Sequence, residues 1–546
     1  MRGSRRSLPA VFPAFRLPIW SLAYADVGAA HGDSAFALSY RLLKLNTIED
    51  HALLICVTLA YRYNVDSCAL ARESATERLR IDRSFESDTR ADAEVSGLPS
   101  LPQSRVEFCR RAGRLGLAVA GAAALGFPLL ESRRVDAQPL VPPKDVIAAG
   151  GGATIKIGHI DGFTGLYAAA ALAQSTGLQQ AVDDATRRFG GRVTFEVLRG
   201  DDTSTPIIGK YEAQRLIEDA KVDALVGCVA SGAALTVSDV AQRSGVLYFS
   251  TAHATDLTGV KANRCTIRTT SSNAMLAAAV APALLQDGNR WFFVVANTAF
   301  GRDAYGRLRD RLHAAGGSEA GSRVHASGET EFGPIMRAVG RSGAQVLVLC
   351  NYGPDTTESV KSAIDYGLNR RMRIGGILCG NESAAALPVR QIGGSVFGYL
   401  WGPDVHGTRT QEIYSKLSAR AQAFPPNWRQ YLGYVSGELL LDRIMEAGTT
   451  DTSSLIAACE GYRYDAGKVT ENYVRKCDHQ AIQDTYAARI RGQRGRRSPD
   501  EFFTIERTQP GDLSPGGCDA TDSRAAATLF AAQAIPHRDD YAAIHV

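Results

Sequence analysis

The chain has 546 residues, 45% of them hydrophobic, with 61 basic and 57 acidic side chains for a formal charge of +4. That length and apolar content supply cores for roughly two to four compact domains. The near-neutral balance excludes a nucleic-acid binder with a broad basic face, and the one basic run, Arg489 to Arg497, reads as a solvated loop.

In chain order, residues 1–104 show no sustained periodicity. Their one apolar stretch, Ala52 to Tyr61, is too short to span a bilayer. Residues 105–137 have the order of an export signal: a basic cluster (Arg110, Arg111, Arg114), a mildly apolar run from Leu115 to Leu130, then the small-residue site Val135-Asp136-Ala137. Cleavage near Ala137 would give an exported, periplasmic protein. The paired arginines resemble a twin-arginine signal, but the usual Phe-Leu is absent, so that route and general export both stay open. Signals stand at N-termini, so residues 1–104 are expected to be a non-native or disordered extension, with the true start near Val106.

No pair of the ten cysteines has C-x-x-C spacing, which argues against a zinc ribbon or a thioredoxin-type site. Cys56, Cys68 and Cys109 precede the cleavage site. Cys228, Cys350 and Cys379 lie in apolar strand-like runs and read as small buried hydrophobes. Cys459 and Cys477 flank a loop-rich segment and are candidates to pair in an oxidising compartment.

From Thr154 onward, strand and helix patterns alternate. Strands are predicted at Thr154–Ile160, Val193–Leu198, Asp223–Gly227 and Val246–Ser250, with helices at Tyr167–Phe189, Ile207–Ala220 and Ala233–Arg243 between them. The pattern then restarts. Helices are predicted at Asn273–Leu285, Arg302–Ala315, Phe332–Arg341 and Thr356–Tyr366, with strands at Trp291–Ala296, Arg323–Ala326, Ala344–Cys350 and Arg373–Leu378. Helices at Gln411–Ala423 and Trp428–Ala447 and strands near Tyr473–Lys476 and Phe502–Ile505 follow; residues 511–546 read as a loosely ordered tail. This is an α/β chain of two doubly wound parallel-sheet lobes joined by a hinge. The first lobe takes residues 150–271 and 404–455, the second 272–403 and 456–510, with crossings near Ser271 and Trp401. Ligands of such sheets bind beyond the carboxyl ends of the strands, so the cleft lies just after Ile160, Gly227, Ser250, Ala296, Cys350 and Leu378.

At those positions the sequence resembles the type I periplasmic solute-binding proteins of the branched-chain amino acid and amide group. The likeness covers Thr154 to Arg507 and is carried by six segments in order: IKIGHIDGFTGLYA, VLRGDDTSTPIIGKYEAQRLIEDAKVDALVGCVASG, GVLYFSTAHATDLTG, WFFVVANTAFGRDAYG, AQVLVLCNYGPDTTESVKSAIDYGL and ENYVRKCDHQAIQDTY. The resemblance implies a receptor that closes on a small polar solute, such as a branched-chain amino acid, an amide or a related carboxylate. It would hand the solute to the membrane permease and ATPase of an ABC importer, with no cofactor, metal or nucleic acid. A sensor domain acting through a partner is the alternative use of the same fold.

The resemblance also implies the site. Ser231 follows a strand and opens a helix, where a hydroxyl and free backbone N–H groups suit a carboxylate; a plain capping role is compatible. Ala252, His253 and Thr255 belong to the family's second ligand loop, slightly shorter than usual here, and how they divide its roles is open. Tyr167 matches an aromatic residue lying over the ligand. Phe300 stands where relatives often carry tyrosine and can only pack. Asn351 and Tyr352 face the cleft from the second lobe. An α-amino group needs a carboxylate, for which Glu382 and Asp355 are the candidates. No G-x-S-x-G elbow, HExxH or Walker A loop points to an enzyme, and the Asp478-His479 pair is expected to be structural.

Overall fold

The computed structural model describes residues 152–420, 425–492, 501–513 and 533–536. The segments expected to be an N-terminal extension and an export signal, and most of the expected tail, lie outside the described residues.

The first lobe is a five-stranded parallel sheet in the order β2-β1-β3-β4-β5. Its strands are β1 (Ala153–Asp161), β2 (Val193–Asp201), β3 (Ala224–Gly227), β4 (Leu247–Ser250) and β5 (Thr266–Arg268). Between them run α1 (Ala168–Phe189), α2 (Pro206–Glu218) and α3 (Ser231–Ser244). Both sheet faces are covered, which explains the unbroken apolar runs. Ala224 and Val226 pack with α1 residues such as Leu178, while Leu225 and Tyr248 pack with Leu216 of α2 and Val237 of α3.

The second lobe holds a seven-stranded sheet in the order β15-β14-β10-β9-β8-β6-β7. It comprises β6 (Arg290–Ala296), β7 (Ser318–His325), β8 (Val346–Cys350), β9 (Arg373–Gly376), β10 (Val396–Tyr399), β14 (Thr485–Ile490) and β15 (Phe503–Gln509). Around it lie α4 (Asn273–Asp287), α5 (Ala299–Ala314), α6 (Gly333–Arg341), α7 (Pro354–Asp365) and the short α8 (Asn381–Ala385) and α9 (Val389–Ile392). This sheet is mixed, which corrects the expectation of parallel pairing throughout: β14 pairs antiparallel with both β10 and β15. The chain returns to the sheet late and closes its edge with a hairpin, which needs no crossover helix.

The remaining elements are α10 (Thr410–Ser418), α11 (Trp428–Ala447) and α12 (Thr452–Cys459), and a small antiparallel sheet of β11 (Arg463–Tyr464), β12 (Asn472–Val474) and β13 (Ala481–Ile482). Helix α11 lies across α1 with the most extensive helix–helix contact among the described residues. Two glycines allow it: a Cβ on Gly177 would run into the Gln430 carbonyl, and one on Gly433 into the Gln174 carbonyl. The segments between the lobes are tied to one another. Arg268 N–H donates to the His479 carbonyl at 3.0 Å, and Gln483 donates to the Thr269 carbonyl at 3.0 Å.

The expected pairing of Cys459 with Cys477 is not found. Cys477 is disulfide-bonded, but Cys459 is a free thiol buried in α12, where the core offers it no sulfur partner. Arg489 is not in a solvated loop but in β14, where it pairs with Asp287 and Glu506. The Asp478-His479 pair braces the small sheet: Asp478 binds Arg475, and His479 bonds Glu460 at 3.0 Å.

Candidate functional site

Strand β3 ends at Gly227, and the three residues Cys228-Val229-Ala230 join it to α3, which opens at Ser231. The Val229 amide donates to Asp161 at 2.6 Å, which anchors this loop to the end of β1. Ala230 is the N-cap, and the first intrahelical bond runs from Ala234 N–H to its carbonyl, so the amides of Ser231, Gly232 and Ala233 precede the helical ladder. Ser231 is the first helical residue and makes no capping bond; its Oγ accepts the Ala254 amide at 3.2 Å, which leaves its own O–H proton to donate.

The loop after β4 carries His253. Its Nδ1 lies 2.8 Å from the Ser271 carbonyl. A carbonyl only accepts, so Nδ1 holds the proton and Nε2 is a bare acceptor. Nε2 is buried and has no partner. Burial, then the nearby Arg429 charge, pulls the pKa of His253 well below the ordinary 6.5 and keeps the ring neutral.

These groups face a cavity of about 340 Å³ between the lobes. Its aromatic wall comes from both sides: Tyr167 at the start of α1, and Phe300 and Tyr352 from the second lobe. Tyr167 and Tyr352 have ring centroids 5.7 Å apart, and Phe300 lies 6.4 Å from Tyr352 and 6.1 Å from His253.

Arg429 supplies the cavity's charge. Asn427 starts α11 with a capping box, which fixes Arg429 in the first turn, beneath the crossing with α1. The residue is 1% exposed, with its guanidinium 4.1 Å from the Trp428 ring and 5.2 Å from that of Tyr352. Its hydrogen bonds are long and all to neutral oxygens: 3.4 Å to Tyr352 Oη, 3.4 Å to the Thr251 carbonyl and 3.5 Å to Gln174. Among the described residues it pairs with no carboxylate, and it is the one charged residue lining the cavity. Sequence reasoning missed it. The available signal was a lone charge inside the helical run WRQYLGYVSG.

Of the candidates from the sequence, Tyr167, Ser231, His253, Phe300 and Tyr352 line the cavity. Ala252, Thr255, Asn351 and Glu382 do not. Ala252 is buried within its loop. Thr255 turns to the second lobe, where its amide (2.7 Å) and hydroxyl (2.8 Å) both donate to Asp303. Asn351 braces the start of α7, donating to Ser359 at 2.9 Å and accepting from Thr356 at 2.9 Å. The Glu382 carboxylate is buried, and burial pushes its pKa up. Asp355 is also off the cavity, accepting the Gly328 amide at 2.9 Å.

The comparisons agree with this architecture. Residues 154–496 match the family described as periplasmic binding protein. A Leu/Ile/Val-binding protein, BraC3, of Rhizobium johnstonii is 26% identical over 314 residues, covering 56% of this chain and 83% of that protein. The crystal structure of a periplasmic binding protein from Burkholderia mallei superimposes with a TM-score of 0.61 at 26% identity, covering 66% of this chain and 96% of that one. An ABC transporter solute-binding protein from R. palustris, solved in complex with benzoate, has a TM-score of 0.59 at 21% identity, covering 67% of this chain and 100% of that one. With that match over more than half its length, two lobes and a cavity between them, this chain belongs to the periplasmic binding protein family.

Proposed function

We propose that the chain is the extracytoplasmic solute-binding component of an ABC importer, and that it captures a small organic acid between its lobes. It acts by binding and release, without chemical turnover, and delivers the solute to a permease and its ATPase after export through the signal before Ala137. The observation that carries this reading is Arg429, a buried guanidinium that lines the interlobe cavity and makes no salt bridge among the described residues. A buried charge is costly unless paired, and an anionic ligand would complete the pair. The unladdered amides of α3 and the Ser231 hydroxyl add donors for the same anion. Tyr167, Phe300 and Tyr352 would cover the body of the ligand.

Calorimetric titration of the purified protein with a set of small carboxylates tests this. At least one should bind. Arg429→Gln, which keeps donors but removes the charge, should weaken it by roughly ten- to a hundredfold. Equal affinity in the variant would mean the anion sits elsewhere.

A further inference from the structure

Two groups facing the cavity lack their natural complement, and they are of opposite kinds. Arg429 is a cation that makes no salt bridge among the described residues, its charge acting on Glu382 buried off the cavity, and His253 Nε2 is a lone pair with no donor. Both lie against Trp428: the guanidinium is 4.1 Å from its ring and the imidazole centroid is 5.5 Å from it, so one small molecule can reach both. The tautomer of His253 is fixed by the Ser271 carbonyl, so the ring cannot turn a proton toward the cavity without losing that bond.

We infer that the ligand is a hydroxylated organic acid without an ammonium group, its anionic end on Arg429 and its hydroxyl donating to His253 Nε2. This rests on the organic-acid reading above. An ammonium group would also donate to Nε2, but it would bring a second positive charge beside the guanidinium in a low-dielectric cavity. Among the described residues, no carboxylate lines the cavity to offset it, and Glu382, buried off the cavity, already faces the Arg429 charge. A neutral hydroxyl satisfies the acceptor with no such repulsion. An acid without the hydroxyl leaves Nε2 buried and unpaired, or leaves it to a water.

Titration calorimetry with two series of probes decides this, since each series keeps one skeleton and changes one substituent. Phenyllactate, phenylpropanoate and L-phenylalanine place hydroxyl, hydrogen or ammonium beside the carboxylate. The hydroxymethylbenzoates, methylbenzoates and aminomethylbenzoates place them at the far end. In at least one series the hydroxy acid should bind about tenfold more tightly than its unsubstituted parent, and the ammonium analogue at least a hundredfold more weakly. His253→Phe, which keeps a ring but removes the acceptor, should bring the ratio of hydroxy acid to parent close to one. If that variant fails to fold, the two series on the native protein still decide. Parents binding as tightly as their hydroxy acids in both series would overturn the role of His253. Tight binding of the amino acids would overturn the exclusion of ammonium while the organic-acid reading stands. Silence from every member of both series would overturn that reading itself.

Discussion

At Ser231 a hydroxyl meets the open end of a helix, and the two act on the same side of the cavity. Ser231→Ala removes one donor and leaves the neighbouring amides in place, so ligand affinity should fall by roughly ten- to a hundredfold with little change in melting temperature. An unchanged dissociation constant for a confirmed ligand would take Ser231 out of the site. Asp202 tells of stability rather than binding. Burial first, then the charge of Asp161, pushes its pKa from 3.8 up to about 7. In the unfolded chain it ionises at the ordinary value, so between those two pH values the unfolded state gives up a proton that the native state keeps. Stability should therefore decline as pH rises from about 4 to about 7, by on the order of 4 kcal/mol at most, and then level off. Asp202→Asn should remove that decline, and melting curves of both proteins across the window check it. At this scale Ser231, Tyr167 and Tyr352, all named from the sequence, line the cavity. The sequence could not tell that Asn351 turns back to brace α7 or that Thr255 turns to Asp303, because side-chain direction at a strand end depends on which neighbours offer a partner.

The crossing of α1 and α11 is the element that positions the charge of the cavity. Trp428, Arg429 and Gln430 occupy the first turn of α11, and Gly177 and Gly433 let the two backbones touch just below it. Gly433→Ala would drive a methyl group into the Gln174 carbonyl and push the helices apart. The expected cost is about 1–3 kcal/mol of stability, with ligand affinity lost as well because Arg429 moves with its helix. A variant as stable and as tight-binding as the native protein would show that the crossing tolerates the extra carbon. The predicted elements that held best were those with strong period, such as β1 to β4 of the first lobe and α11. Strand β7 runs Ser318–His325 and was expected only at its last residues; β5, β10, β14 and α12 were not expected. Edge strands such as β7 and β5 bury too little of a face to show a clear alternation.

In the two-lobed part of the molecule, rings from both lobes meet over the cavity and Thr255 of the first lobe is bound to Asp303 of the second. Closure on a ligand would be a hinge motion through the segments near Ser271 and Trp401, favoured by the ligand's differential affinity for the closed form. Small-angle scattering should show the radius of gyration of the free protein fall on addition of a confirmed ligand. Asp303→Ala, which cuts the contact between lobes outside the cavity, should shift the free protein further open and weaken binding through that population change alone. A radius that is the same with and without ligand in the Asp303→Ala protein would end the hinge proposal.

The sequence by itself determined the fold class and most of the alternation of strands and helices, though not β5, β10, β14 or the antiparallel edge of the second sheet. Those follow from apolar periodicity and turn chemistry, which are local. The charge of the cavity was decided only in the tertiary structure. Arg429 lies more than 250 residues from Gln174, and it becomes a cavity residue because two helices distant in sequence cross at paired glycines. The tautomer of His253 was likewise decided by a carbonyl eighteen residues away. Chain pattern reports which face of an element is buried; it does not report which distant polar group shares that burial, and here that sharing sets what the cavity can hold.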